Sequence, residues 1–224
     1  PALVKSTDTH EILDQITGDF EEMKEKYKGQ ITLKTGIEFG IQVHTTKAYE
    51  ETFGQYPFDF VIFSCHQVEN KEYWRQEPQK GKTQLEYNRR YYQEILDVVK
   101  AYKDYSILGH LDVIKRYDLN GEIELEKIKD LIEQIFEVVI ADGKGIELNT
   151  SSRAYHLKSL MPSREILELY HDMGGKIITI GSDAHNADRV GDRVMESQKI
   201  LKEIGFNGIY TFDQMKPKFH EFKF

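Results

Sequence analysis

A carboxylate and an imidazole stand two residues apart in Gly181-Ser182-Asp183-Ala184-His185, directly after the run Lys176-Ile177-Ile178-Thr179-Ile180. In extended backbone such residues share a face, so Asp183 and His185 could converge on one ion. Asp oxygen with His nitrogen suits zinc, manganese or iron better than magnesium or calcium. The alternative is a helix entry capped by Ser182 or Asp183. The same spacing recurs in His110 and Asp112, where Asp112 could orient a ligand or act as a general acid. His66 follows the apolar run Phe58–Ser64, and Glu38 lies between Gly36 and Gly40, which permit close backbone approach. His156, in a loop after a strand, is a candidate for touching substrate. Cys65 beside His66 invites a nucleophile dyad, but adjacent strand residues face opposite ways, so the thiol belongs to packing. Neither a nucleophile elbow, a P-loop nor a dinucleotide fingerprint is present.

These residues need elements that bring them together. Apolar runs at 31–39, 58–64, 106–111, 145–148 and 176–180 read as strands, and each carries a polar or metal-ligating residue at its C-terminal end: Glu38, His66, His110, Asn149 and Asp183 with His185. Eight histidines placed at random would not put three at such ends. In barrels and open α/β sheets that end is where sites are built. Between the strands, helices are predicted at 11–16, 19–27, 46–51, 83–103, 125–142, from Ser163 to Gly174, and 190–204. Asp8 with Glu11 reads as a weak capping box, and Leu85, Tyr92, Leu96 and Val99 share one side of the long helix. Residues 67–82 are polar and aromatic without a period, the mark of a functional loop, and 207–211 reads as a last strand with no assignment for 216–224. The rhythm of strand, loop and helix implies an α/β fold with a parallel sheet covered by helices, over a single domain of residues 1–224.

Composition narrows the function. Thirty basic residues against 38 acidic ones argue against sequence-independent binding to a nucleic-acid backbone. One cysteine excludes an internal disulfide and fits the cytoplasm. No run reaches membrane-spanning length, and the first residues lack a signal-peptide pattern.

Five stretches in order, Lys34-Thr35-Gly36-Ile37-Glu38, Ser64-Cys65-His66, Leu108-Gly109-His110-Leu111-Asp112, Ile146-Glu147-Leu148-Asn149-Thr150-Ser151 and Gly181-Ser182-Asp183-Ala184-His185, resemble the PHP family of polymerase and histidinol phosphatase domains. The likeness is closest to its histidinol-phosphate phosphatase branch. The resemblance implies a distorted seven-stranded β/α barrel holding two to three divalent ions of zinc, manganese or iron at the strand ends. It implies that Glu38 bridges two metals, that His66 and His110 bind one of them, Asp183 another and His185 a third, with Glu38 and Asp183 in the catalytic centre. The implied chemistry is hydrolysis of a phosphate monoester by a metal-bridging hydroxide, with L-histidinol phosphate as substrate. Phosphate also needs cations, and Arg153 and Arg189 occupy the loops after two site-bearing strands. Tyr73, Trp74 and Arg75 could close over a small phosphorylated substrate. The family opens with a His-x-His strand and a second strand ending in a Thr-Asp-His-like motif; Lys5-Ser6-Thr7-Asp8-Thr9-His10 has the wrong spacing for either. The chain is therefore read as that barrel without its first two strands, with an N-terminal segment lost or supplied by another chain or fragment; a homo-oligomer is a further expectation. Alternative readings are a phosphoesterase acting on nucleotides or nucleic-acid ends, and a catalytically silent binding module.

Overall fold

Short apolar segments separated by helices cannot be joined by tight hairpin turns, so they pair side by side in the same direction. The computed structural model describes residues 6–224. In chain order its elements are α1 (Ser6–Lys26), β1 (Gly36–Gly40), α2 (Thr46–Phe53), β2 (Phe60–Ser64), β3 (Gln67–Val68), β4 (Lys71–Glu72), α3 (Gln84–Ala101), β5 (Ile107–Leu108), α4 (Lys129–Ala141), β6 (Gly145–Asn149), α5 (Arg164–Asp172), β7 (Ile178–Gly181), α6 (Val194–Ile204), β8 (Gly208–Asp213) and β9 (Lys216–Glu221). Strands β1-β2-β5-β6-β7 form one parallel sheet in that order, with Glu38 opposite Ile62 and Asn149 opposite Gly181. Among the described residues this sheet is open, with β1 and β7 outermost.

The strand interiors Val61, Ile107, Ile146, Leu148 and Ile178 are buried, as expected for a parallel sheet clad in helices. Helix α4 presents Ile132, Ile135, Phe136 and Val139 to this core at helical spacing, and α5 adds Leu167 and Tyr170. Two buried tyrosines serve as struts by delivering their hydroxyls to backbone carbonyls. Tyr91 donates to Leu111 O at 3.0 Å, one residue from His110, and Tyr170 donates to Ile177 O at 3.0 Å at the entry to β7. Helix α3 starts at a reciprocal cap: Thr83 accepts from the Glu86 N–H, and the Glu86 carboxylate accepts from the Thr83 N–H at 2.7 Å. Ser163 caps α5 as its sequence position predicts. Among the described residues no helix is long and apolar enough to cross a membrane.

The structure corrects several expected boundaries. The two helices predicted before residue 28 are one, because exposed Gly18 costs a helix only about 1 kcal/mol relative to Ala and does not break it. The expected cap at Asp8 and Glu11 involves side chains outside the described residues. Strand 31–39 contracts to Gly36–Gly40, and strand 106–111 to Ile107–Leu108, so His110 and Asp112 lie in a turn. Leu85 points to solvent, while Tyr92, Leu96 and Val99 pack inward as expected. The tail without assignment forms β9, which pairs antiparallel with β8 as a separate hairpin, so β8 is no sixth member of the parallel sheet. The expected loop at 67–82 holds the small β3–β4 hairpin and a turn of 3-10 helix at Tyr73–Arg75.

Candidate metal centre

Three donors from three different strands meet at the C-terminal rim of the sheet. Glu38 sits in the middle of β1, His66 two residues beyond β2, and His110 two residues beyond β5. Glu38 Oε1 lies 3.0 Å from His110 Nε2 and 3.3 Å from His66 Nε2, and the two imidazole nitrogens are 3.3 Å apart. Tetrahedral zinc with bonds of about 2.0–2.1 Å has ligand-to-ligand edges of about 3.3–3.4 Å. The three separations therefore describe one face of such a polyhedron. Two ring nitrogens and a carboxylate oxygen, converging with so little room for anything but a small cation, fit a divalent metal of the zinc, manganese or iron class.

Local backbone makes the convergence possible. Gly109 lies where a Cβ would come within 2.5 Å of the Ile62 Cγ2 and 2.8 Å of the Ser64 Oγ, so only glycine lets the β5 end approach β2. Immediately after it, His110 adopts φ of 21°, an uncommon conformation for a side-chain-bearing residue. That turn is held from beneath by buried Glu147 of β6, whose Oε2 accepts the His110 N–H at 3.0 Å and the Asn149 side-chain amide at 3.1 Å. Burial alone would raise the Glu38 carboxyl, but hydrogen bonds from His110 and His66 outweigh it and hold it well below the usual carboxylate range. Burial alone would lower His110, and Glu38 outweighs it in turn, raising the imidazole. Each group of the pair thus favours the charged form of the other.

A second group lies beside the first. Beyond β7, Asp183 adopts φ of 48° and places Oδ1 3.3 Å from His185 Nε2. Its Oδ2 accepts from Arg116 Nη2 at 3.0 Å and from Ser151 Oγ at 3.2 Å. Arg116 is 6% exposed, also donates to Ser151, and stacks its guanidinium 3.9 Å over the Tyr155 ring. Burial would raise the Asp183 carboxyl, but Arg116 outweighs this and lowers it, with a further contribution from His110. Asp183 therefore feels the field of the first group while standing outside it. The strand ends at Gly181, so the two-residue alternation argument does not apply, yet Asp183 and His185 do meet. His185 is 78% exposed, open to a further ligand.

Other candidates lie apart. Asp112 does not face this rim: its Oδ2 accepts the Ser163 N–H at 2.9 Å and pairs with Lys115 Nζ at 2.8 Å on the far side of the turn. The expectation that Asp112 shares a face with His110 is thereby corrected. The cause is that β5 stops before His110, so alternation no longer puts the two residues on one face. Arg153 and His156 are exposed on the turn after β6, where His156 takes φ of 56°. Arg189 is half-buried and donates to Ser182 O at 3.4 Å, which keeps it in the loop carrying Asp183. Cys65 is buried with its thiol on the Gln67 carbonyl, turned away from His66 as alternation required. Two contributors were not singled out from the sequence, Glu147 and Arg116. Glu147 had a readable signal, a charge in a fully apolar strand two residues before Asn149 and hence on its face. Arg116 had none, since its partner Asp183 is 67 residues away.

Comparison with known proteins agrees with this geometry. The PHP domain model matches residues 6–151. A histidinol-phosphatase of Lactococcus lactis subsp. lactis is 29% identical over 202 residues, covering 88% of this chain and 74% of the relative. A probable histidinol-phosphatase of Clostridium acetobutylicum is 25% identical over 189 residues, covering 83% of this chain and 72% of that one. The crystal structure of the L. lactis histidinol phosphate phosphatase, complexed with zinc, L-histidinol and phosphate, aligns with a TM-score of 0.82 at 27% identity, over 92% of this chain and 79% of that chain. The structure of a Listeria monocytogenes putative histidinol phosphatase aligns with a TM-score of 0.63 at 15% identity, a likeness of fold. With the model matched over well over half of its residues and the three-strand donor cluster at the sheet rim, this chain belongs to the PHP domain family.

Proposed function

We propose that this protein is a metal-dependent phosphomonoesterase that cleaves L-histidinol phosphate to L-histidinol and phosphate. The observation that carries the reading is the convergence of Glu38, His66 and His110 with separations suited to one divalent ion. The L. lactis relative complexed with zinc, L-histidinol and phosphate supports the substrate assignment. Glu38, His66 and His110 would hold the first ion, and Asp183 with His185 a neighbouring one, giving two to three ions in all. Bound metal supplies Lewis acidity and lowers the pKa of coordinated water to near neutrality.

The chain's own residues do the rest. Glu38 keeps its carboxylate ionised at any physiological pH because the two imidazoles favour the charged form. Glu147 fixes the His110 backbone so that Nε2 stays aimed at Glu38. Arg116 holds Asp183 in one orientation through Oδ2 and leaves Oδ1 toward His185. Arg153 and Arg189, in the loops after β6 and β7, are assigned to the phosphate dianion, where a guanidinium fork can bind two oxygens. A cytoplasmic setting suits the single cysteine.

The test is phosphate release from L-histidinol phosphate by the protein loaded in turn with zinc, manganese and ferrous iron. Turnover that disappears on chelation, returns on reloading, and falls at least about a thousandfold in His110→Ala supports the reading. Release that survives complete removal of metal, or is untouched by His110→Ala, overturns it.

A further inference from the structure

One turn of chain serves both groups of the centre. His110 stands at its start with Nε2 3.0 Å from Glu38 Oε1, and Arg116 at its end with Nη2 3.0 Å from Asp183 Oδ2. Between them runs the 3-10 turn Val113–Arg116, in which the His110 carbonyl accepts the Val113 N–H at 2.9 Å and the Asp112 carbonyl accepts the Lys115 N–H at 3.1 Å. Closed by these bonds, the turn moves as one piece, so whatever fixes it orients both side chains. Glu147 and Tyr91 hold its first two residues, through the His110 N–H and the Leu111 carbonyl. Beyond them the hold passes to Asp112 and Lys115.

The Lys115 ammonium has three protons and three acceptors: Asp112 Oδ2 at 2.8 Å, Ser159 Oγ at 2.7 Å and the Leu160 carbonyl. Asp112 Oδ2 in turn accepts the Ser163 N–H at 2.9 Å. The segment they grip is itself fixed to β6, where the Asn149 N–H donates to the Met161 carbonyl at 2.7 Å. The pair thus ties the turn to the strand that carries Glu147. Stability does not account for it. The two side chains are 6% and 5% exposed, and Asp112 Oδ1 has no hydrogen-bond partner among the described residues. Apolar side chains of like volume often serve as well in such a place, whereas an ion pair with fixed partners specifies one arrangement. We propose that Lys115 is a positioning residue of the metal centre: clamped to Asp112 and to segment 159–163, it sets how far His110 reaches toward Glu38 and Arg116 toward Asp183. The proposal rests on the metal reading of Glu38, His66 and His110.

The experiment compares metal-free preparations of the parent, His110→Ala and the double variant Asp112→Asn/Lys115→Met by zinc calorimetry and thermal unfolding. The double variant removes one charge of each sign, so the net charge at the turn is unchanged, and the new amide still offers an oxygen to the Ser163 N–H. Its unfolding midpoint should stay within about 4 °C of the parent. Zinc should bind about 10- to 100-fold more weakly, the loss typical when the partners that orient a ligand are removed. Affinity lost at unchanged stability is a combination that a merely structural pair does not give. Ser159→Ala, which keeps both charges and removes one acceptor at a half-buried position, is the second variant, in case the double one does not fold. It should weaken zinc about threefold at an unchanged midpoint. A folded double variant whose zinc Kd is within about twofold of the parent's, or whose midpoint falls along with its affinity, would overturn the inference. So would an unfolded double variant together with a Ser159→Ala protein that binds zinc like the parent. If the parent takes up no zinc, or His110→Ala binds it as tightly, the metal reading fails and the inference with it; zinc binding lost in His110→Ala but kept in the double variant overturns the inference alone.

Discussion

Replacing Gly181 by Ala should damage the centre from a distance. A Cβ built at Gly181 lies 1.9 Å from Glu147 Oε1 and 2.9 Å from its Cδ, far inside contact distance. The backbone φ of Gly181 is not in the left-handed region, so the cost is steric rather than conformational. Glu147 cannot swing aside freely, because its Oε2 is pinned by the His110 N–H and the Asn149 amide. Overpacking costs about 1–3 kcal/mol, and a lost hydrogen bond to a buried carboxylate about 1.5–3 kcal/mol. Urea unfolding should therefore show a loss of about 3–5 kcal/mol, read from the midpoint at constant m-value. Zinc affinity, measured by calorimetry, should drop as well, since His110 loses the group that fixes its backbone. The double variant Gly181→Ala/Glu147→Ala supplies the internal control: with the carboxylate gone the added methyl has nothing to strike. It should be about as stable as Glu147→Ala alone, giving a coupling as large as the Gly181→Ala loss itself, about 3–5 kcal/mol. Strict additivity, or a Gly181→Ala variant within 0.5 kcal/mol of the parent with unchanged zinc affinity, would refute the proposed role of Glu147 beneath His110.

Three further outcomes follow from the same geometry. Arg116→Met should destabilise by about 3 kcal/mol, because Asp183, only 16% exposed, is left without its cation; thermal unfolding at neutral pH checks this, and a change below 1 kcal/mol contradicts it. Burial pushes the Cys65 thiol far above its usual range, so iodoacetamide at pH 8 should leave native protein unlabelled and label it in urea; rapid native labelling would show the thiol is accessible. Asp213, which Lys218 and Lys34 pair with at the β8–β9 hairpin, has its carboxyl pulled from 3.8 down to about 2. A depressed acid contributes stability above its unfolded value, lost as pH falls through its folded one, so the protection of hairpin amides relative to their intrinsic exchange rates should fall between about pH 4 and 2. An NMR titration midpoint of Asp213 at or above 3.8 would remove that tether.

Much of the site was legible because its residues announce themselves locally. The continuous apolar run before Ser64, and the histidines and carboxylates at strand ends, place Glu38, His66 and His110 together once parallel pairing is assumed. Ser163 as a cap and the spacing of Ile132, Ile135 and Val139 carried over to the structure for the same reason. What failed was the reach of the period-two argument. It held for Cys65 and His66, immediately after an intact strand, and failed for Asp112, beyond a turn at His110 with φ of 21° that the sequence does not declare. Arg116 could not be found because Val113-Ile114-Lys115-Arg116 reads as an ordinary amphipathic turn, and only the fold brings it to Asp183. The β9 strand was missed since alternating Phe and charge is intelligible only opposite β8, whose partner it is.

The central claim is that Glu38, His66 and His110 ligate one metal ion. Zinc K-edge X-ray absorption on protein loaded with one equivalent tests it most directly. The account predicts a first shell of nitrogen and oxygen at about 2.0–2.1 Å with outer-shell scattering from two imidazoles, falling to one imidazole in His66→Ala. A first shell without imidazole scattering, or a spectrum unchanged by His66→Ala, would contradict it.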